Sequence, residues 1–251
     1  MKTGTIFSLL SLLAVLPLTV FSQESPNVSE RRERTIEEIK SEAVRRAEVG
    51  QYPLIGLDPS DIKEAVQSIH TKDKDEWAAA FMGVADRYMK EAQALEKTDP
   101  AKANADYIRA WRLYSFGRWP IPASPGKQRS YEKALAAFQA HTRFWDPPME
   151  VVKIPFEGKE IIGYLRLPKN AKGPVPLVLA VNGLDSRKED LAESFSPILS
   201  FGIGYLAVDG PGTGQNPSAG PTPGPCRTWP MPSSVRPGAI RRCPGRSGHR
   251  R

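Results

Sequence analysis

From about Ser60 to Phe144 the apolar side chains recur at intervals of three and four, the period of helices that bury one face. Ser60 is expected to cap a first helix running from Asp61 to near His70. Trp77, Phe81, Val84, Tyr88, Ala92 and Leu95 make one stripe, which Thr98-Asp99-Pro100 ends. A third helix shows Tyr107, Trp111 and Tyr114 on one side. A fourth shows Tyr131, Leu135 and Phe138, with His141 beside its apolar face. Four amphipathic helices joined by short Pro/Gly links predict a helical layer over residues 51–146, and no repeat of fixed period is visible.

At Asp146-Pro147-Pro148 the period changes to that of extended chain. Residues 150–155 and 161–167 read as strands joined through Glu157-Gly158-Lys159, a hairpin signal with Gly at the bend. Residues 175–181 form an unbroken apolar run, as in strands buried on both faces. A helix over 190–199 and a buried strand over 203–208 follow. Strand, helix, strand in that order predicts a right-handed crossover and a mainly parallel sheet.

The two ends are of different material. Lys2, the apolar stretch from Ile6 to Val20 and the small residues near Ser22 read as a signal peptide over 1–22, which implies a secreted or periplasmic protein. Residues 23–50 are a charged leader, expected as a solvated helix or a flexible segment, and Asn27-Val28-Ser29 fits a glycosylation sequon. No later segment is apolar and long enough to cross a bilayer, so no membrane contact is expected beyond the signal.

Residues 217–251 hold eight prolines, five glycines and seven arginines, without a Leu, Phe or Tyr. Such a segment buries too little apolar area to offset the entropy of ordering, so a disordered tail is expected. Its abrupt onset after Gly214 reads as truncation of the domain by a change of reading frame, which the coding DNA would test. The net charge of +7 comes from this tail, since the remaining 28 basic residues equal the 28 acidic ones. A neutral body with no basic face gives no reason to expect a nucleic-acid partner. The only cysteines, Cys226 and Cys243, also lie in the tail, and no carboxylate or histidine grouping has metal-ligand spacing, so neither metal nor cofactor is expected.

Two segments carry candidate chemistry. Asn182-Gly183-Leu184-Asp185-Ser186-Arg187-Lys188-Glu189 follows one buried strand, and Asp209-Gly210-Pro211-Gly212-Thr213-Gly214 follows the next. The second lacks the spacing of a dinucleotide or phosphate loop, and no helix follows it. With the helical layer and the Pro147-Pro148 entry to a hairpin, these motifs resemble the α/β-hydrolase superfamily. Within it they are similar to FrsA-like esterases and to hydrolases acting on 2,6-dihydroxypseudooxynicotine, over about Gln51 to Gly214.

The resemblance implies an α/β fold: an incomplete α/β-hydrolase sheet, occupying residues 147–216, preceded by a helical cap. It also implies that the loop after the third strand donates backbone N–H groups to an oxyanion hole, here from Gly183 and Leu184, where glycine permits a sharp bend and close approach to substrate. Asp209, Gly210 and Gly212 are expected to be a structural turn beside that site, since in the resembled family the triad acid follows the nucleophile. The third strand would have its far edge bare, so poor solubility is expected.

The Gly-x-Ser-x-Gly nucleophile, the acid and the base do not occur in this sequence. Gly245-Arg246-Ser247-Gly248-His249 has its second glycine misplaced and no strand before it, so no catalytic residue is assigned. Full-length relatives would cleave a small-molecule ester, or an activated carbon–carbon bond next to a ketone, by a Ser-Asp-His triad; this chain is expected to be inactive. Two alternatives stay open. One is a secreted helical interaction module with Trp77, Trp111 and Tyr114 on a binding face, and the other is the remnant of an acyl-peptide peptidase of the same fold. The sequence does not decide an oligomeric state.

Overall fold

The computed structural model describes residues 32–169 and 171–217. The expected signal peptide, the sequon and nearly all of the expected tail lie outside the described residues.

Part of the charged leader is a helix, α1 (Ile36–Glu48). Thr35 and Glu38 form a reciprocal cap, with Glu38 N–H donating to Thr35 Oγ1 at 3.2 Å and Thr35 N–H to Glu38 Oε2 at 2.8 Å. Ala43 and Ala47 are buried, and α1 packs against α2 (Pro59–Gln67). Ile36 and Val44 pack against the same core, so this part of the expected solvated or flexible leader is a helix with one buried face.

Asp58, not Ser60, caps α2. Pro59 at the first helical position has its φ preset and no N–H to satisfy, so the cap falls one residue earlier on Asp58, which accepts from Ser60 N–H at 2.9 Å. The helix stops at Gln67, and His70 lies beyond it with its N–H donating to Glu76 at 2.8 Å. Three longer helices follow: α3 (Lys74–Leu95), α4 (Pro100–Arg118) and α5 (Pro125–Thr142), capped by Asp73, Asp99 and Ser124.

These three helices pack on one another through aromatic side chains. Trp77, Phe81 and Phe116 form a trio of tilted and edge-on rings with centroids 4.8 to 5.5 Å apart. Trp111 and Tyr114 are 3% and 1% exposed, and Trp77 is partly buried against the same core. The aromatic binding face of the interaction-module alternative is therefore an interior, because the stripe that looked available is what the helices pack with.

Four strands form one sheet: β1 (Glu150–Phe156), β2 (Lys159–Arg166), β3 (Leu177–Val181) and β4 (Gly204–Val208), in the order β1-β2-β4-β3. β1 with β2 and β2 with β4 are antiparallel, while β3 with β4 is parallel. The expectation of a mainly parallel sheet is thus corrected to a mixed one. A two-residue hairpin can only reverse the chain, and only the β3–β4 link contains a helix to carry a crossover. β3 starts at Leu177 rather than Val175, because Pro176 has no N–H for the ladder. Among the described residues β3 pairs only with β4, and Val181 is half exposed on it.

The hairpin turn holds Glu157 at φ 50° and Gly158 at φ 74°, the left-handed pair that matches strand twist. Glycine adopts this freely, whereas glutamate bears a steric cost. Glu157→Asn is expected to raise stability by about 0.5–1 kcal/mol, read from urea melts.

The crossover contains α6 (Lys188–Phe195) and a 3₁₀ turn over Ser196–Phe201. The helix expected over 190–199 is broken there because Pro197 cannot continue α-helical hydrogen bonding. Tyr164, Ala180, Tyr205 and Ala207 face α6 and the helical layer, and Phe138 of α5 stacks on Tyr164 of β2 at 5.5 Å. Ile154, Ile161, Leu165, Leu206 and Val208 form a separate cluster on the other face. The helical layer and α6 thus share one side of the sheet, and both reach the C-terminal ends of β3 and β4.

Candidate functional site: the loop after the third strand

Residues 182–187 turn the chain from β3 into α6. Asn182 organises the loop through its side-chain amide. Its Nδ2 donates to Ser186 O at 2.7 Å, closing a ring over four residues, while its Oδ1 accepts from the N–H of Gly210 in the turn after β4. The buried Arg187 guanidinium donates to Leu184 O at 2.9 Å and to Ser186 O. Arg118, at the end of α4 and 3% exposed, donates to Asp185 O. Successive carbonyls are therefore held inward by cationic donors.

Gly183 and Leu184, the expected oxyanion donors, sit at the outer bend. Their N–H groups donate to no backbone carbonyl within the described residues, and Leu184 is 72% exposed. A Cβ placed on Gly183 would meet nothing within 4 Å, and its φ is outside the left-handed region. The expected steric need for glycine is thus absent from the protein itself; what the glycine leaves is open space in front of the loop.

Asp209 is fully buried at the end of β4. Its carboxylate accepts from Lys188 N–H at 2.9 Å, from Lys188 Nζ at 3.0 Å and from Gln215 N–H at 2.9 Å, and its backbone O accepts from Asn216 Nδ2 at 2.7 Å. Gly212 and Gly214 have φ of 72° and 49°, and a Cβ on Gly214 would lie 2.2 Å from Asp209 Oδ2. Glycine at 214 is what lets the turn close over the carboxylate. Gly210 lies where its N–H reaches Asn182, so the two candidate motifs are one hydrogen-bonded unit.

Beside this unit Glu189 is 2% exposed, with Oε1 2.7 Å from Lys188 Nζ but off the hydrogen-bonding direction. Burial pushes its carboxyl up, against the pull of Lys188 and with the repulsion of Asp209. A carboxyl with a raised folded pKa favours folding below its unfolded value of about 4.3, and that stability is lost as pH rises through the folded value. Glu189→Gln lacks this dependence. Urea melts across the acid-to-neutral range are therefore expected to show the variant gaining on the parent as pH rises.

A cleft of about 210 Å³ opens between the helical layer and α6. Trp111, Phe116 and Trp119 supply its apolar wall, and Asp185 of the loop and Glu193 of α6 its polar one. Tyr52 borders it, its hydroxyl pushed up to about 12 by partial burial first, against a hydrogen bond with Trp119 and with the negative charge of Asp185. Asp190 is pushed up by burial and faces Arg118 at 3.6 Å. Among the described residues no group of His, Cys, Asp and Glu is placed to hold a metal, and no helix is long and apolar enough to cross a membrane.

The model of the FrsA-like esterases matches residues 21–219. The chain belongs to the FrsA-like esterase family. An α/β-hydrolase, ucsC, of an Acremonium species is 29% identical over 185 residues, and the esterase FrsA of Serratia proteamaculans is 26% identical over 189. The matches cover 66% and 64% of this chain but only 37% and 43% of those proteins, so the chain spans less than half the length of either relative. The solved 2,6-dihydroxy-pseudo-oxynicotine hydrolase superposes with a TM-score of 0.52 at 23% identity, covering 64% of this chain and 44% of that one. AbyA5 superposes with 0.54 at 18% identity, covering 74% and 47%. Both show the fold: a partial α/β-hydrolase sheet with a helical region before it.

Sequence reasoning placed this FrsA-like loop but missed what holds it. Arg118 at the end of α4 is buried, and so are Arg187, Lys188 and Glu189, although the charged run Arg187-Lys188-Glu189-Asp190 after a strand looks like a solvated helix start. The one available signal was position: a charged run directly between two apolar strands of a sheet has little surface to occupy.

Proposed function

We propose that this chain supplies the cap and the oxyanion half of an exported α/β-hydrolase that cleaves a carboxylic ester, or an activated carbon–carbon bond beside a ketone, in a small-molecule substrate. The observation that carries the reading is the loop after β3. It follows a parallel strand, Asn182, Arg187 and Arg118 fix it, and Gly183 and Leu184 are left at its exposed outer bend, next in sequence to Asp185, which lines the cleft that the cap helps to wall. Donors preset where negative charge develops on a carbonyl oxygen stabilise the transition state for acyl transfer. Export rests on Lys2 and the apolar run to Val20.

The sequence has no Gly-x-Ser-x-Gly motif, so the 251-residue chain by itself is expected not to turn over ester. A burst of p-nitrophenol from p-nitrophenyl butyrate, blocked by a fluorophosphonate, would contradict this. The positive test joins residues 32–216 to the part of Serratia FrsA that the match does not cover. Ester hydrolysis is expected, and Leu184→Pro, which deletes one donor, is expected to lower kcat about 10²-fold. A fused enzyme indifferent to that substitution would remove the assigned oxyanion role.

A further inference from the structure

His141 lies where the helical layer meets α6. It is 3% exposed, in the last turn of α5, stacked nearly parallel to Trp111 of α4 and edge-on to Phe138 and Trp145. Its Nδ1 is 2.6 Å from Asn104 Oδ1. Its Nε2 has two neighbours, Trp145 Nε1 at 3.0 Å and Glu193 Oε2 at 3.4 Å.

An indole N–H only donates, so while the Trp145 bond stands Nε2 must be unprotonated, and the ring proton is on Nδ1 and donated to Asn104. A second proton can enter only at Nε2. There it collides with the indole N–H and faces the Glu193 carboxylate. The charged groups around this point are few. Glu193 comes from α6, and its carboxyl is held below the usual range first by the hydrogen bond that a protonated His141 Nε2 donates to it, and then by Arg112 of α4 and Arg166 of β2. Arg112 lies 4.0 Å from Glu193, and the Arg166 guanidinium sits over the Trp145 ring at 4.3 Å. On α5's own end, Arg143 is turned away to Glu96.

We propose that His141 is a proton-operated switch, holding Trp145 when neutral and Glu193 when protonated. The exchange trades a hydrogen bond within the helical layer for an ion pair between α5 and α6, the helix that carries the loop after β3. Glu193 also lines the cleft, so the same proton draws one negative charge away from the cleft wall. This is independent of the ester-cleaving reading, since it needs neither substrate nor turnover.

The experiment is NMR of the ¹⁵N-labelled full chain, following the Trp145 indole N–H, assigned by its disappearance in Trp145→Phe, from about pH 8 to about pH 5, where imidazole ordinarily changes charge. In the parent chain the signal is expected to move through a single transition. In His141→Gln it is expected to stay still. Glu193→Gln changes a half-exposed residue and provides a second variant should His141→Gln fail to fold; it is expected to move the transition to lower pH, because the proton loses its carboxylate. A Trp145 signal that does not respond to pH, or one whose transition is the same in Glu193→Gln as in the parent, overturns the switch.

Discussion

Asp209→Ala is expected to lower the unfolding free energy by about 3–5 kcal/mol, because it leaves the Lys188 ammonium buried with no ion pair but the off-axis Glu189. The loss has three parts. The ion pair disappears, the N–H groups of Lys188 and Gln215 lose their acceptor, and Gly214 gains a hole where the carboxylate was. Asp209→Asn should fall between parent and alanine, since an amide oxygen still accepts from an N–H but does not balance the ammonium. Urea unfolding of the three proteins checks the order. A loss of under about 1 kcal/mol for the alanine variant would place the pair among solvated surface bridges and remove Asp209 as the anchor of the loop.

Phe138→Ala is expected to cost a similar amount, about 3–5 kcal/mol, for a different reason. Phe138 is fully buried on α5 and touches Trp111 of α4, Trp145 and Tyr164 of β2 with ring centroids 4.9, 5.7 and 5.5 Å away. It is one of the rings, with Trp145 under the Arg166 guanidinium, through which the helical layer meets the sheet. Truncating it opens a cavity on that seam, and partial collapse would shift Tyr164 and with it the surroundings of Lys188, whose ammonium lies 4.8 Å from the Tyr164 ring centre. If helices and sheet are one folding unit, far-UV circular dichroism and tryptophan fluorescence of the variant will still melt together, at lower urea.

What could be read from the sequence follows the reach of each interaction. Helical stripes and apolar strands are local patterns, and α3, α4, α5, β2 and β4 fall where periodicity put them. Local competition misplaced the ends: Asp58, Ser60 and Asp61 are all good caps, and only Pro59, with its preset φ, selects Asp58. The break in the last helix was legible in Pro197 had it been weighed against the apolar run around it. The sheet's mixed pairing was legible in the shortness of the hairpin turn.

The site divides the same way. The bend at Asn182-Gly183 was legible because a strand followed by Asn-Gly is a local signal, whereas the donor role of Gly183 and Leu184 came only from the family resemblance. The buried charges could not. Lys188 finds Asp209 twenty-one residues on, and Arg118 reaches Asp185 from the end of α4, 67 residues away, so their burial depends on a fold that single-residue polarity argues against. His141 read as packing or surface, and its partners Asn104, Trp145 and Glu193 come from three different segments.

The helical layer and the sheet form one body that presents the loop after β3. Native-state hydrogen exchange of the full chain tests this most directly. The slowest amides of α4 and α5 and those of β2 and β4 are expected to share one opening free energy and to converge at the same urea concentration. Strand amides that exchange while the helices stay fully protected would contradict it, leaving an independent helical domain beside a loose sheet.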